Sequence, residues 1–435
     1  MFIEKVMEKI WADTDSVFAD AFEKAMKTDA ETLYHLCLEA EMKCYSSNGL
    51  NMNYIETLGC TYRRKNGKMQ GCSMCNYQSE KAVLQGMLYA LRIKSPDIYA
   101  KVVYALFCKT RGSEKVEPNI IENITGYDSL DEFEMPLSLR QYLYGSGIFA
   151  SDPFVWNIEA RASSITEDRL KDFVRYFHRN KRVYVEFGVE VKGDFLRNQW
   201  LNKGITDVQI LNAVEVIHTY GCKAAANLLI GIPGLTEEQS VQVFVDSAVW
   251  LNAIGVDKIV VFPLNRKKNT LHGYMHEHLS QDPILADMGL VQDKHSGIPW
   301  IFTVIKALFY LYRRDCKIFD KVVIPEISAE SNSTWNEIIY NASETCGCRK
   351  SMINSLNDMS VKKQYELLPQ MYAHMKTDKC YKDYTSLLAK QKRAGSISST
   401  LSTVGERLSR SLFGENWEKI FQTFDISGFE WGKAD

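Results

Sequence analysis

Three cysteines, at positions 60, 72 and 75 in the stretch C-TYRRKNGKMQG-C-SM-C-NY, constrain this chain more than any other feature. They follow an alternating apolar–polar run, Tyr54-Ile55-Glu56-Thr57-Leu58, which reads as a strand feeding a cysteine-rich loop. A structural zinc site is closed by four protein ligands, and no His or fourth Cys lies close by in sequence. Three thiolates suffice for a [4Fe–4S] cluster whose fourth iron stays open to a ligand. Cys108 or Cys346, reaching in through the fold, keeps a zinc reading open. A disulfide framework fits poorly: the chain has eleven cysteines, an odd number, and shows no signal peptide.

After the loop, strands and helices alternate. Helices are expected over Ser79–Arg92, 95–111, Thr166–Arg179, Thr206–Tyr220 and Thr236–Ile254. Strands are expected at Leu137–Tyr144, Phe154–Ala160, Arg182–Val191, Lys223–Ile232 and Lys258–Leu264. Such alternation means parallel βαβ units, hence an α/β fold. Polar residues close otherwise apolar strands at Glu159, Glu190 and Asn227, and a carboxylate in such a place needs a partner. Arg161 and Lys192 are the bland partners for the two glutamates.

The strand running into C-x2-C and Asn76-Tyr77 resembles the radical S-adenosylmethionine (SAM) superfamily. The spacing here is C-x11-C-x2-C, where C-x3-C-x2-C is common in that superfamily. The long first spacer and the C-x-M-C-x-Y ending resemble the archaeosine synthase radical SAM subunit. The run F-G-V-E…L-N-K-G…N-L-L-I-G-I-P-G resembles the elongator-type pattern, so the resemblance covers roughly residues 50–270. It implies a partial (β/α)6 TIM-type barrel over 49–275, with an N-terminal helical cap over 1–48. A mainly helical C-terminal extension, 276–435, would cover the barrel mouth.

The same resemblance implies a [4Fe–4S] cluster on Cys60, Cys72 and Cys75, with SAM on the open iron and Tyr77 lying over the cluster. Gly145, Ser146 and Gly147 would hold the methionine amino group, and Lys203 its carboxylate. Glu190 suits the ribose hydroxyls, Glu159 and Asn227 are further SAM contacts, and Gly231-Ile232-Pro233 would read the adenine edge. Such an enzyme cleaves SAM reductively and modifies its substrate through a carbon radical. The expected substrate is a small metabolite in a biosynthetic pathway, including 3-amino-3-carboxypropyl transfer of the arsinothricin type. Cys346 and Cys348 would then face the substrate as hydrogen donors or arsenic ligands. The alternative substrate is a nucleoside in tRNA, as for archaeosine synthase. A non-catalytic iron–sulfur or zinc protein is the alternative of another class. A flavodoxin or ferredoxin is the expected electron donor.

Composition narrows the partners. Lys+Arg is 52 against Asp+Glu 54, which argues against a chain built to coat nucleic acid. No apolar run is long enough to span a membrane; the nearest, Ile298–Tyr312, is interrupted by Lys306. Free thiols without an export signal point to the reducing cytoplasm. The basic residues Arg63, Arg64, Lys65 and Lys68 read either as a solvated loop tip or as charge beside the cluster. His272 and His276, at i and i+4, are spaced for a metal on a helix. Residues 391–406, rich in Ser, Thr and Gly, read as a linker.

Overall fold

The computed structural model describes residues 1–40, 45–47, 50–67, 71–76, 81–112, 121–125, 127–145, 155–177, 182–292, 297–328, 339–341, 347–427 and 429–431. Eight strands form one sheet in the order of the sequence: β1 (Tyr45–Ser47), β2 (Leu50–Tyr54), β3 (Ile121–Thr125), β4 (Val155–Glu159), β5 (Arg182–Glu190), β6 (Lys223–Ile230), β7 (Lys258–Pro263) and β8 (Val322–Val323). The β1–β2 pair is antiparallel and every later pair is parallel. A parallel sheet whose spatial order never reverses is singly wound, and its crossovers curl it toward a barrel. A doubly wound sheet would instead reverse at a switch point. The α/β partial barrel expected from the sequence is therefore the observed fold, with β8 as a short addition from beyond residue 275.

Helices α1 (Phe2–Ile10), α2 (Ala12–Lys27) and α3 (Ala30–Leu38) precede the sheet. Between strands lie α4 (Ala82–Lys94), α5 (Pro96–Gly112), α6 (Leu137–Gly145), α7 (Glu167–Val174), α8 (Asp207–Thr219) and α9 (Glu237–Ala253). After β7 come α10 (Leu271–His278), α11 (Pro283–Asp287), α12 (Ile301–Arg314), α13 (Cys348–Lys362), α14 (Leu368–Met375), α15 (Tyr381–Gln391), α16 (Ile397–Phe413) and α17 (Trp417–Phe421). Strands β4 to β6 are buried along most of their length, as a sheet covered on both faces requires. Reciprocal side-chain caps, Thr206 with Gln209 and Thr236 with Gln239, start α8 and α9.

Three sequence expectations are corrected. Leu137–Tyr144 is not the second strand but most of α6, because Leu139 and Leu143 bury one helical face and Arg140 pairs with Asp172 at 3.1 Å. The second parallel strand is β3, between α5 and α6. Gly145 consequently ends a helix, exposed and with no neighbouring atom near its absent side chain, rather than closing a barrel strand. The first strand also stops early, at Tyr54, so Ile55–Leu58 already belongs to the loop. Finally, much of 391–406 is the start of α16. Ile397, Leu401, Val404 and Leu408 bury one face of it, and Ser396 caps it by accepting from the Ser399 amide.

The C-terminal part is joined to the barrel at the start of α9. Glu237 is buried there and accepts hydrogen bonds from the Thr303 hydroxyl and the Trp300 amide. Its own amide donates to Gln391 Oε1 at 2.9 Å. Burial pushes the Glu237 carboxyl up to about 7 from 4.5. An acid whose folded pKa is raised contributes stability that is full below its unfolded pKa and lost as pH rises through the folded value. Metal-free protein should therefore lose about 3 kcal/mol of stability at this group between pH 4.5 and 7 and above. Glu237→Gln keeps the hydrogen-bond acceptor and should remove that part of the slope. Urea titrations of both proteins at pH 5 and 8 check this; equal pH dependence would refute it.

Candidate active site

A cavity of about 470 Å³ opens at the carboxyl ends of the strands. Cys60, Cys72 and Cys75 line it, together with Glu159, Glu190, Lys203 and Asn227. Cys60 immediately precedes a 3₁₀ turn, Thr61–Gly67, whose Arg63 amide donates to the Cys60 carbonyl at 3.1 Å. The two later cysteines flank a tight turn, with the Cys75 amide donating to the Cys72 carbonyl. This turn is fastened on two sides. The Ser73 amide and hydroxyl donate to the carbonyls of Leu201 and Trp200, and the Leu271 amide donates to the Ser73 carbonyl. Asn202 Nδ2 adds a bond to the Gly71 carbonyl at 2.8 Å.

Two of the loop's basic residues are buried against the N-terminal helices, and Arg63 also feels the charge of Cys75 and Cys60. Arg63 and Arg64 both turn to Asp15 on α2, at 3.5 and 3.4 Å. Arg63 lies over the Trp11 ring and Arg64 over that of Phe18. They anchor the cysteine loop to the N-terminal helices. The Trp11 indole ties the same helices to the segment after β7, donating to the Asn269 carbonyl at 2.8 Å. The side chains of Lys65 and Lys68 lie outside the described residues.

Glu190 and Lys203 are partners of each other, at 2.7 Å, and both are buried. Glu190 has φ of 68°, a left-handed conformation that costs energy for a non-glycine residue and clusters at functional sites. A register shift between Gly188 and Glu190 accompanies it and turns the carboxylate into the cavity. Gly188 makes room for the pair: a side chain there would collide with both Glu190 Oε1 and Lys203 Nζ. Lys203 is held by a π-helical turn, Phe195–Trp200, whose Arg197 is fully buried and bonds Asp207 at 2.6 Å and the Val191 carbonyl. Burial alone would lower the Lys203 pKa, but Glu190 and the neighbouring Cys72 outweigh it and hold it above the ordinary lysine value.

Arg161, weighed in the sequence only as a partner for Glu159, is a cavity residue in its own right. Its Nη2 donates to the Lys203 carbonyl at 2.6 Å and its guanidinium lies 3.9 Å above the Tyr62 ring. Tyr62 in turn packs where a side chain on Gly204, at φ 61°, would stand. Burial would lower the Arg161 pKa, yet the thiolates of Cys60 and Cys72 raise it overall. The signal was available: a cation two residues past a strand end, in a barrel whose loop carries three thiols. Burial also pushes the Cys60 thiol up to about 12, against the Arg161 guanidinium, so a metal must displace that proton.

Other expected residues fall elsewhere. Gly231, Ile232 and Pro233 do not line the cavity. Gly231 abuts the Pro299 ring, Ile232 sits in an apolar cluster, and the Pro233 carbonyl accepts from the Trp200 indole at 2.7 Å. Their turn packs against Pro299 and Trp200. Cys348 lines a second cavity, of about 290 Å³, and not the first. It opens α13, and its Sγ accepts from Asn341 Nδ2 at 3.0 Å. His272 is buried, bonds the Asn265 carbonyl and is pushed down to about 3 by burial. Tyr77, Ser146, Gly147 and Cys346 lie outside the described residues.

The residues at the cavity fit a cluster and a polar ligand beside it. Among the described residues, Asn227 Oδ1 and Asn265 Oδ1 are buried at the cavity without a hydrogen-bond partner, and a bound ligand would satisfy them. Among the described residues, no three His, Cys, Asp or Glu side chains are grouped to hold a single metal ion. Three thiolates on one cluster need not converge so tightly, because each binds a different iron.

No family model matches the chain. It is 24% identical over 260 residues to the archaeosine synthase subunit beta of Methanosarcina acetivorans, covering 58% of this chain and 64% of that protein. It is 25% identical over 232 residues to an uncharacterised protein of Methanocaldococcus jannaschii, covering 53% of this chain and 60% of that one. The chain thus spans less than two thirds of each. Among solved structures, the radical S-adenosylmethionine methyltransferase TsrM of Kitasatospora setae aligns over 53% of this chain and 40% of its own, at 15% identity and a TM-score of 0.32. The chain is thus similar over part of its length to archaeosine synthase beta subunits, and it carries three thiols at the mouth of a singly wound partial barrel.

Proposed function

We propose that the chain is a radical SAM enzyme that modifies its substrate through a carbon radical. The observation that carries this is the convergence of Cys60, Cys72 and Cys75 with the Glu190–Lys203 pair on one cavity. A [4Fe–4S] cluster with SAM supplies, when bound, one-electron cleavage of a carbon–sulfur bond. The chain's part is to bind, orient and enclose. The three thiolates hold the metal, and Lys203 offers an ammonium to a carboxylate. Glu190 and Asn227 offer acceptors to hydroxyl or amino groups. Arg161 keeps positive charge beside the thiolates.

For the substrate, the name of the relatives supports a nucleoside in tRNA, modified as in archaeosine synthesis. The small-metabolite reading of the arsinothricin type had Cys346 and Cys348 as arsenic ligands, and it loses support because Cys348 lines a different cavity. A flavodoxin or ferredoxin remains the proposed reductant.

The test is product analysis after anaerobic reconstitution with iron and sulfide, then addition of dithionite and SAM. The expected product is 5′-deoxyadenosine. Methylthioadenosine would point to 3-amino-3-carboxypropyl transfer instead. A cluster-loaded protein that yields neither would remove the radical SAM reading.

A further inference from the structure

Glu186 lies on the same strand as Glu190 but four residues nearer the strand's start. Both side chains line the cavity. At about 3.3 Å per residue, Glu186 sits on the order of 10 Å deeper into the barrel. It is only 6% exposed. Asn157 Nδ2 donates to its Oε2 at 2.6 Å, and its Oε1 accepts no hydrogen bond from a described residue. No ion pair is made to it among the described residues. A buried carboxylate in that state lacks the counter-charge it needs.

Of the cations that line the cavity or face Glu186, Lys267 follows the carboxyl end of β7, and the other three are engaged as follows. Lys203 pairs with Glu190. Arg161 bonds the Lys203 carbonyl, stacks on Tyr62 and neighbours Cys60 and Cys72. Lys258 feels the Glu186 charge, but its ammonium lies 3.8 Å above the Tyr184 ring and forms no salt bridge with Glu186. On the neighbouring strands, Glu186 stands opposite Glu159 and Ala225. Glu159 adds a second negative charge beside it, and like charges placed opposite each other repel. Ala225 leaves space on the other side. Around Glu186 the cavity therefore holds two carboxylates and no ion pair to Glu186 among the described residues, while its mouth carries the thiols and the Glu190–Lys203 pair.

We infer that Glu186, held by Asn157, is the recognition site for a protonated nitrogen group of the substrate, an alkylammonium or a guanidinium. The inference rests on the functional reading above in taking the mouth of the cavity for cluster and SAM and leaving the deep end to substrate. Direct pairing with Glu186 would supply the missing counter-charge and would fix the substrate's distance from the mouth.

The experiment uses the full chain, reconstituted anaerobically, with SAM present. The probes are n-butylammonium and n-butylguanidinium, with n-butanol as the neutral isostere, and binding is read by saturation-transfer NMR titration. At least one of the two cations should bind the native protein better than butanol; which one does identifies the nitrogen group. Glu186→Gln keeps an acceptor for Asn157 and should weaken that cation by about tenfold or more, as loss of a charge-assisted bond implies. Iron content and SAM affinity should stay at native values, which also shows that the variant folds. Glu186→Asp, which keeps the charge, should recover part of the binding. Equal cation binding by native protein and Glu186→Gln overturns the inference, as does native protein that prefers neither cation to butanol. A Glu186→Gln protein that loses SAM affinity also overturns it, by assigning Glu186 to SAM. A chain that takes up no iron yet binds the cations through Glu186 sinks the functional reading and leaves this site standing.

Discussion

Replacing Cys60, Cys72 and Cys75 together by alanine should abolish iron binding. Native protein reconstituted without oxygen should carry about four irons per chain, and the triple variant none. The fold should survive. The cysteine turn is held by the Ser73 amide, the Ser73 hydroxyl and Asn202, none of which is touched by the substitutions. Far-ultraviolet circular dichroism of the variant should therefore match that of metal-free native protein. A stoichiometric zinc without iron in native protein would contradict the expectation, and so would iron retained by the triple variant.

Gly188→Ala should have the next largest effect. The added methyl group would occupy the place where Glu190 and Lys203 meet, and it lies on a strand with no slack, between β4 and β6. Both charged groups must then move from the places where they meet, which disturbs the pair in its buried setting. Two charged interactions are disturbed at once, so SAM affinity should fall by about a hundredfold, against roughly tenfold for Glu190→Gln. Iron content should remain, since the cysteine loop is anchored elsewhere. Equilibrium dialysis with labelled SAM reads the effect. Unchanged affinity in Gly188→Ala would mean that SAM does not use this pair.

Much of the site was legible because its chemistry sits at strand ends. Cys60, Cys72, Cys75, Glu190, Lys203 and Asn227 all line the cavity that their positions in the sequence suggested. The pairing of Glu190 with Lys203 was not legible. Lys203 belongs to a turn thirteen positions away, whose course depends on the buried Arg197 and a π-helical turn. The second strand was misplaced for a different reason. Leu137 and Leu139 alternate like a strand, but only packing tells which of Leu137, Leu139 and Leu143 is buried, and Leu137 is exposed. The Gly231–Pro233 turn carried a convincing pattern, yet Trp200 and Pro299 claim it, and both are remote in sequence. In α16, a helical spacing of Ile397, Leu401, Val404 and Leu408 was hidden by the serines and threonines between them.

The turn from Trp200 to Lys203 belongs to two neighbours at once. Its carbonyls and Asn202 fasten the cysteine loop, while its last residue presents the ammonium that Glu190 holds. Occupants on the two sides are therefore thermodynamically linked: whatever one contributes to ordering the turn, the other does not have to supply. Linkage is reciprocal, so on the proposed function metal would raise the affinity for SAM by the same factor as SAM raises the affinity for metal, with typical couplings of about 1–3 kcal/mol. On the proposed function, a chain stripped of its iron by oxygen would then also release its SAM, and the cosubstrate would return to solution.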